Sequence, residues 1–137
     1  MAGDYIHFQK LYSNKTTDLT VLAATTTQAD FIVPKSANHA LYIQKIVVSI
    51  NVYAAQTMTF TDSAGTPVLL GLISVPGAAV ALPSESGSIV MDFGPTGTKL
   101  TTGEGLTLTL SAAGIGARVH VEAYERLVGP VAQASTN

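Results

Sequence analysis

Residues 41–61 read LYIQKIVVSINVYAAQTMTFT. Apolar and polar side chains alternate here, and many of the apolar ones are β-branched, which is typical of half-buried strands because successive side chains point to opposite faces. We predict one long strand at 41–53, with Tyr42 on the same face as Ile46 and Val48, and Ile43 on the opposite face. A second strand is predicted at 57–61, with Met58 and Phe60 facing inward and three threonines facing outward.

The same period of two recurs along the chain, and no segment has a convincing helical period. Clusters of Gly, Pro, Asn and Asp follow at intervals of about ten residues, as in all-β proteins. We therefore predict an all-β fold, a jelly-roll-like antiparallel β-sandwich of about eight or nine strands in a single domain. The other predicted strands are 5–12, 19–24, 29–33, 68–75, 89–93, 106–111 and 118–125.

Several local predictions depend on turn chemistry and apolar runs. A polar turn is predicted at 13–16, and the last two strands are interpreted as a terminal hairpin. Residues 68–75 are apolar on both faces, which predicts either a central strand or a strand beneath an intersubunit contact. The sandwich domain is expected to span 1–127, with residues 1–6 as a candidate N-terminal arm and 128–137 as a flexible tail.

Charge is scarce in this sequence. Only 12% of the 137 residues are charged, against about 25% in an average globular protein. We interpret the deficit as surface that meets other subunits. The seven basic residues are scattered, whereas nucleic-acid binding requires a clustered basic face. The N-terminus lacks the pattern of a signal peptide, and prolines interrupt the uncharged stretch 63–84, so neither nucleic acid nor a membrane is an expected partner.

Histidine offers little evidence for a metal site. The three histidines, His7, His39 and His120, do not have the spacing of metal ligands. His120 and Glu122 share a strand face, and we favour an ordinary polar face over a metal site or an acid–base pair. A zinc site would require His7 to come alongside them.

Carboxylates are equally uninformative. Asp62 could bind calcium together with Ser63 and Thr66, but a single carboxylate favours capping of the turn. A hydrolase site dispersed over Asp62, Asp92 and Glu104 stays open as an alternative. No catalytic residue, metal ligand or cofactor is predicted.

Four stretches together resemble a known class of protein. The stretches are IQKIVVS at 43–49, FTDSAGT at 60–66, GEGLTLTL at 103–110 and VHVEAY at 119–124. With them the chain resembles, over residues 28–127, small β-sandwich virion proteins of tailed bacteriophages, especially head decoration or cement proteins. Similar sequence patterns occur in tail and fibre subunits.

This resemblance implies a non-enzymatic protein that is made in the host cytoplasm and assembles on the capsid surface, often as a homotrimer. It would bridge neighbouring copies of the major capsid protein. The low charge is compatible with such a role, because an interface core is depleted of charged residues. The residues expected to contact other subunits or the capsid are Tyr5, Ile6, Leu70, Leu72, Leu127 and Val128.

A carbohydrate-binding β-sandwich module is the main alternative from another class. Such modules bind sugars on exposed aromatic side chains, and this chain has no tryptophan. The tyrosines that could contribute are Tyr5, Tyr12, Tyr42, Tyr53 and Tyr124.

Overall fold

Two antiparallel sheets pack face to face in the computed structural model, which describes residues 12–64, 67–75 and 87–128. Within these residues the chain forms nine strands. They contain no helix that is long and apolar enough to cross a membrane. The strands are β1 (Tyr12–Val21), β2 (Thr27–Ile32), β3 (His39–Val52), β4 (Gln56–Asp62), β5 (Leu69–Val75), β6 (Gly87–Asp92), β7 (Thr98–Lys99), β8 (Leu106–Leu110) and β9 (Gly116–Leu127).

The strand order is that of a jelly roll. The first sheet has the order β1-β9-β3-β6, with the short β7 also paired to β3, and the second sheet has the order β2-β8-β4-β5. Strands from the two halves of the chain pair in a nested way: β1 with β9, β2 with β8, β3 with β6 and β4 with β5. This arrangement of nine strands in two antiparallel sheets confirms the predicted fold class.

The core lies between the sheets and is aliphatic apart from Phe60. In the second sheet, Met58 and Phe60 of β4 face inward beside the leucines of β8, as the alternation predicts. The first sheet contributes the inward side chains of β3 and β9. The largest fully buried side chains are Phe60, Leu41, Ile43, Ile46, Ile50, Met58, Leu100, Leu106, Leu108 and Ile115, with Val21 and Val48.

A bulge in β3 corrects the predicted faces of this strand. The register against β9 shifts between Ile43 and Lys45, so one extra residue is inserted and the alternation changes phase. Ile43 therefore faces the core together with Ile46 and Val48, and Tyr42 faces outward. The sequence shows alternation of apolar and polar residues before and after the bulge. It does not show that the inward-facing positions shift by one residue at the bulge.

The prediction of a turn at 13–16 is wrong, because these residues are part of the long strand β1. All ten residues of β1 pair with β9, and Lys15 Nζ lies 3.3 Å from the buried Glu125 carboxylate. Glu125 also accepts a 2.8 Å hydrogen bond from the Lys35 backbone N–H. Pairing along a long partner strand overrides the turn preference of Ser13 and Asn14.

Two other topological predictions are corrected. The last two strands do not form a hairpin, because β8 lies in the second sheet and β9 in the first. Residues 68–75 are not a central strand either, since β5 is at the edge of its sheet. The other interpretation of this apolar strand, an intersubunit contact, stays a prediction.

Two glycines permit close approaches. Gly97 has a φ of 72°, and a Cβ there would lie 2.9 Å from the Ile43 carbonyl oxygen, so a side chain at this turn would be strained twice. Gly71 of β5 leaves room for Met91 of β6, whose sulfur would lie 2.6 Å from an added Cβ. The edge strands β5 and β6 of the two sheets are therefore packed closely together.

Candidate interaction surface

The outer face of the first sheet, here called the charged face, carries most of the charge found on the strands. Its rows are set by pairing across strands: Asp18 lies opposite His120, and Lys45 lies between Glu122 and Asp92. This composition is typical of a surface that faces water. The ionisable side chains of the charged face are Asp18, Lys45, Asp92, Lys99, Arg118, His120, Glu122 and Arg126.

His120 bridges two carboxylates on this face. Its Nδ1 lies 2.9 Å from Asp18 Oδ1, and its Nε2 lies 3.3 Å from Glu122 Oε2. The hydrogen bond to Asp18 is the main cause that raises the pKa of the His120 imidazole, and Glu122 adds to it. The pair that shared a face in the sequence is thus part of a small ionic network.

No metal site is formed in the described part of the chain, where no group of three or more His, Asp and Glu side chains could hold an ion. The zinc hypothesis required His7, which lies outside the described residues. The strand beside His120 instead supplies Asp18. A polar strand face explains His120 and Glu122.

The His120 network predicts a small dependence of stability on pH. The pKa of His120 is raised in the folded protein. The network therefore stabilises the folded protein fully below the ordinary histidine pKa of 6.5, and this stabilisation is lost as pH rises through the raised value. We expect the melting temperature to fall slightly over this range in the wild type, and to fall less in His120→Gln. Melting curves of both proteins on either side of the transition measure this, and parallel pH profiles would contradict it.

Tyrosines form one stacked pair on the charged face. The rings of Tyr42 and Tyr124 are parallel, with centroids 4.8 Å apart and an interplanar angle of 2°. The Tyr124 hydroxyl donates to the Thr96 carbonyl oxygen at 2.7 Å. Tyr53 packs against the core, and Tyr5 lies outside the described residues. The tyrosines therefore do not make an extended aromatic platform in the part of the chain that is described.

The outer face of the second sheet, here called the threonine face, is different. Thr57, Thr59 and Thr61 of β4 point outward beside Thr107 and Thr109 of β8. The two central strands thus present hydroxyl and methyl groups only. The members of the threonine face are Thr27, Thr57, Thr59, Thr61, Leu69, Leu72, Ser74, Thr107 and Thr109.

The threonine face is built from closely spaced side chains. Neighbouring strands lie about 4.8 Å apart, and alternate residues of a strand about 6.8 Å apart, and the register is regular where β4 pairs with β8. Threonine has a restricted χ1 angle because it is β-branched. Docking on such a surface costs little side-chain entropy.

Charge reaches the threonine face only at its margin, among the described residues. Asp30 of β2 is exposed and has a φ of 47° at an irregularity of this strand. Its backbone N–H donates to Thr107 Oγ1 at 3.2 Å, and its carboxylate accepts a hydrogen bond from Ser63. Asp30 is thus held at the outer margin by local hydrogen bonds.

Two leucines enlarge the uncharged surface at the other margin. Leu69 and Leu72 of the edge strand β5 are each 60% exposed, and they lie opposite Thr61 and Thr59. Exposed leucines on an uncharged face mark an interaction surface more often than a solvent-facing one.

The residues predicted as contacts fall in different places. Leu72 lies on the threonine face, whereas the neighbouring Leu70 is half-buried and packs against the core. Leu127 and Val128 lie at the end of β9 in the first sheet, where the Val128 N–H donates to the Asn38 carbonyl oxygen at 2.8 Å. Tyr5 and Ile6 are outside the described residues, so the structure does not gather the predicted contacts into one patch.

Asp62 caps the turn that follows β4. Its Oδ1 accepts the N–H groups of Ala64 and Val68 at 3.2 and 3.0 Å, and its Oδ2 accepts the N–H and hydroxyl of Thr101 at 2.9 and 2.7 Å. Burial raises its pKa, but the four hydrogen bonds outweigh burial and hold the pKa below its ordinary value of 3.8. Turn capping, favoured over calcium binding, is confirmed.

Asp62 and Asp92, two of the three dispersed carboxylates, do not form a paired site, while Glu104 lies in the same loop as Thr101, which binds Asp62. Both oxygens of Asp62 are engaged by protein donors, and Asp92 lies on the charged face of the other sheet, where it accepts the Gly94 N–H at 2.8 Å. Paired carboxylates must flank one substrate bond. These two cannot do so.

A groove of about 300 Å³ opens at one end of the first sheet, between β1, β3 and β9. Its lining includes Val21, Leu22 and Val52, and Arg118 is its only charged side chain. Ligand sites of this size usually combine apolar walls with several convergent polar groups. The groove has the polar side chains Thr20, Asn51 and Arg118 among its apolar ones, and we assign no ligand to it.

Comparisons with known proteins give structural similarities only. No family model matches the chain, and no curated protein matches it in sequence. A subunit of Bacillus endospore appendages, a family of disulfide-linked pili, matches 86% of this chain and 88% of its own at 12% identity and a TM-score of 0.43. The extra small virus of the prawn Macrobrachium rosenbergii, as a virus-like particle, matches 83% of this chain and 79% of its own at 11% identity and a TM-score of 0.38.

The core of Drosophila NLP, studied for pentamer formation and histone binding, matches 81% of this chain and 97% of its own at 8% identity and a TM-score of 0.44. Viral capsid and pilus proteins are thus among the structural neighbours. Similarities with TM-scores below 0.5 and such low identities carry no argument about function, which must come from the surface itself.

Proposed function

We propose that this protein is a non-enzymatic structural subunit of a bacteriophage virion that decorates or cements the outside of the capsid. It would act as a homo-oligomer, a trimer by expectation, that bridges copies of the major capsid protein. The observation that carries this proposal is the contrast between the two outer faces. One face carries eight ionisable side chains beside the exposed Val90, and the other presents threonines and exposed leucines, with charge only at the Asp30 margin.

The contrast explains where the charge deficit lies. A protein with 12% charged residues that spread them evenly would be weakly polar everywhere. Here the strands concentrate charge on one side and leave the other suited to a protein partner. Interface cores are depleted of Asp, Glu and Lys in the same way.

Bridging also suits a rigid sandwich. The inner faces are filled with aliphatic side chains, so the fold leaves little interior space for a substrate. Several weak contacts of one oligomer with neighbouring coat subunits would add up through effective concentration. Under this proposal the predicted contacts Leu127 and Val128, at one end of the first sheet, would meet the coat together with the arm expected at 1–6 and the tail expected at 128–137.

Cosedimentation tests the proposal. The purified chain is mixed with expanded capsids built from the major capsid protein encoded nearest to it, and pelleted protein is quantified with and without capsids. We expect saturable binding at a fixed ratio to coat subunits. A folded chain that stays in the supernatant at every capsid concentration would contradict the proposal, and pelleting with tail tubes or fibres would assign the chain to those structures.

A carbohydrate-binding module is the second candidate, favoured by the stacked Tyr42 and Tyr124. Aromatic rings can pack against sugars, but stacking already covers one face of each ring. Glycan-array binding that is lost in Tyr42→Ala would support this candidate. Absence of binding to any glycan would exclude it.

A further inference from the structure

The four edge strands of the sandwich differ in protection. An edge strand presents unpaired backbone groups, and monomeric proteins protect such edges with charges, proline or bulges. The β1 edge carries Lys15 and Asp18, and the β2 edge has an irregular register, Asp30 and the nearby Pro34. These two edges are on the same side of the molecule, which is therefore protected.

The opposite side carries less charge in its described residues, although the register of β5 against β4 shifts between Gly71 and Leu69, and Pro67 lies just before this strand. Strand β5 contains neither a charge nor a proline over Leu69–Val75, and β6 has one charge, Asp92, at its end. Gly71 and Met91 pack these two edges together. The uncharged edge β5 is also the margin of the threonine face, so face and edge form one continuous uncharged surface.

We infer that a second copy of this chain docks on the threonine face and the adjoining edge β5. This inference rests on the proposed function, because it names the partner of the proposed assembly surface. It assigns the surface to contact between copies and leaves the coat protein to other parts of the molecule.

Charge complementarity argues for a second copy. An uncharged face has no charge with which to select a charged partner, and burying charged groups of a partner against it would cost free energy without compensation. An uncharged surface of another copy carries no such cost, and the hydroxyls of the threonine face can donate to it and accept from it.

The state of the protein before it meets a capsid supports the same partner. Leu69 and Leu72, each 60% exposed, lie on the edge strand of the second sheet, and exposed leucines on an uncharged edge strand favour aggregation of a free monomer. Closed self-association covers the surface as soon as the chain is made, without waiting for another protein.

Thiol protection tests the inference in the full chain, which has no natural cysteine. Leu72→Cys reports on the surface, and Ser74→Cys on the same strand is a second reporter in case one variant perturbs assembly. Leu22→Cys is the matched control, because Leu22 is 65% exposed and lies outside the threonine face. Reaction rates with a maleimide are measured without capsids, over a dilution series, beside the mass from light scattering.

We expect the two reporters to react about tenfold more slowly than Leu22→Cys when about nine-tenths of the chains are assembled. The protection should disappear on dilution together with the oligomer. Leu72→Lys should have the mass of a monomer, whereas Leu22→Lys should keep the wild-type mass.

Three results would overturn the inference. Protection that persists in a dilute monomer would mean that segments of the same chain cover the face. Protection that appears only after capsids are added would assign the face to the coat protein, and would leave the proposed function standing. Equal reactivity of all three thiols in an assembled oligomer would place the contact between copies elsewhere.

Discussion

Replacing Phe60 with alanine is expected to lower the free energy of unfolding by about 3 to 5 kcal/mol, the usual range for a buried phenylalanine. Phe60 is fully buried on the inner face of β4, which lies between β8 and β5 in the second sheet. Its loss removes apolar contacts with both sheets and leaves a cavity. For a chain of this length, each kcal/mol corresponds to about 3 to 4 °C in melting temperature.

Urea denaturation of Phe60→Ala beside Thr59→Ala measures this effect. Thr59 precedes Phe60 on the same strand, but it faces outward, so at a dilution where the chain is a monomer its replacement should change the free energy of unfolding by no more than about 0.5 kcal/mol. Similar losses in the two variants would mean that the assigned faces of β4 are wrong.

Asp62→Ala is expected to cost about 3 kcal/mol, because hydrogen bonds to a charged group contribute more than neutral ones and their loss leaves buried donors without partners. Three backbone N–H groups and one hydroxyl, those of Ala64, Val68 and Thr101, depend on this carboxylate. Asp62→Asn keeps one acceptor but turns an amide N–H₂ toward donors. It should recover only part of the stability.

The pH dependence of Asp62 has a definite sign. Its folded pKa lies below the ordinary value of 3.8, so its contribution is present above that value and is lost as pH falls through the folded pKa. The difference in unfolding free energy between wild type and Asp62→Asn should therefore narrow in acid. Chemical denaturation at neutral and acidic pH measures it, and a constant difference would contradict the assigned hydrogen bonds.

Local patterns in the sequence predict the fold class, because apolar and polar residues alternate along a strand whichever strands lie next to it. Met58 and Phe60 face inward as predicted, and the leucines of β8 are buried. Pairing over a distance decides the rest. The bulge after Ile43, the extension of β1 through residues 13–16 and the separation of β8 from β9 all depend on partner strands.

The threonine face illustrates the same limit. Alternation predicts that Thr57, Thr59 and Thr61 point outward, and likewise Thr107 and Thr109. Only the pairing of β4 with β8 joins them into one surface, and only the edge position of β5 exposes Leu72 beside them. The low overall charge of the sequence predicts an interface. Our proposal of where that interface lies depends on the strand order, which the sequence does not show.

The central claim is that the uncharged surface brings chains together. Light scattering on the purified full chain across a concentration series tests it most directly. The account predicts a stable multiple of the 14.2 kDa chain mass, three chains for the expected trimer, which dissociates only on strong dilution. A soluble 14.2 kDa monomer at every concentration would contradict the claim.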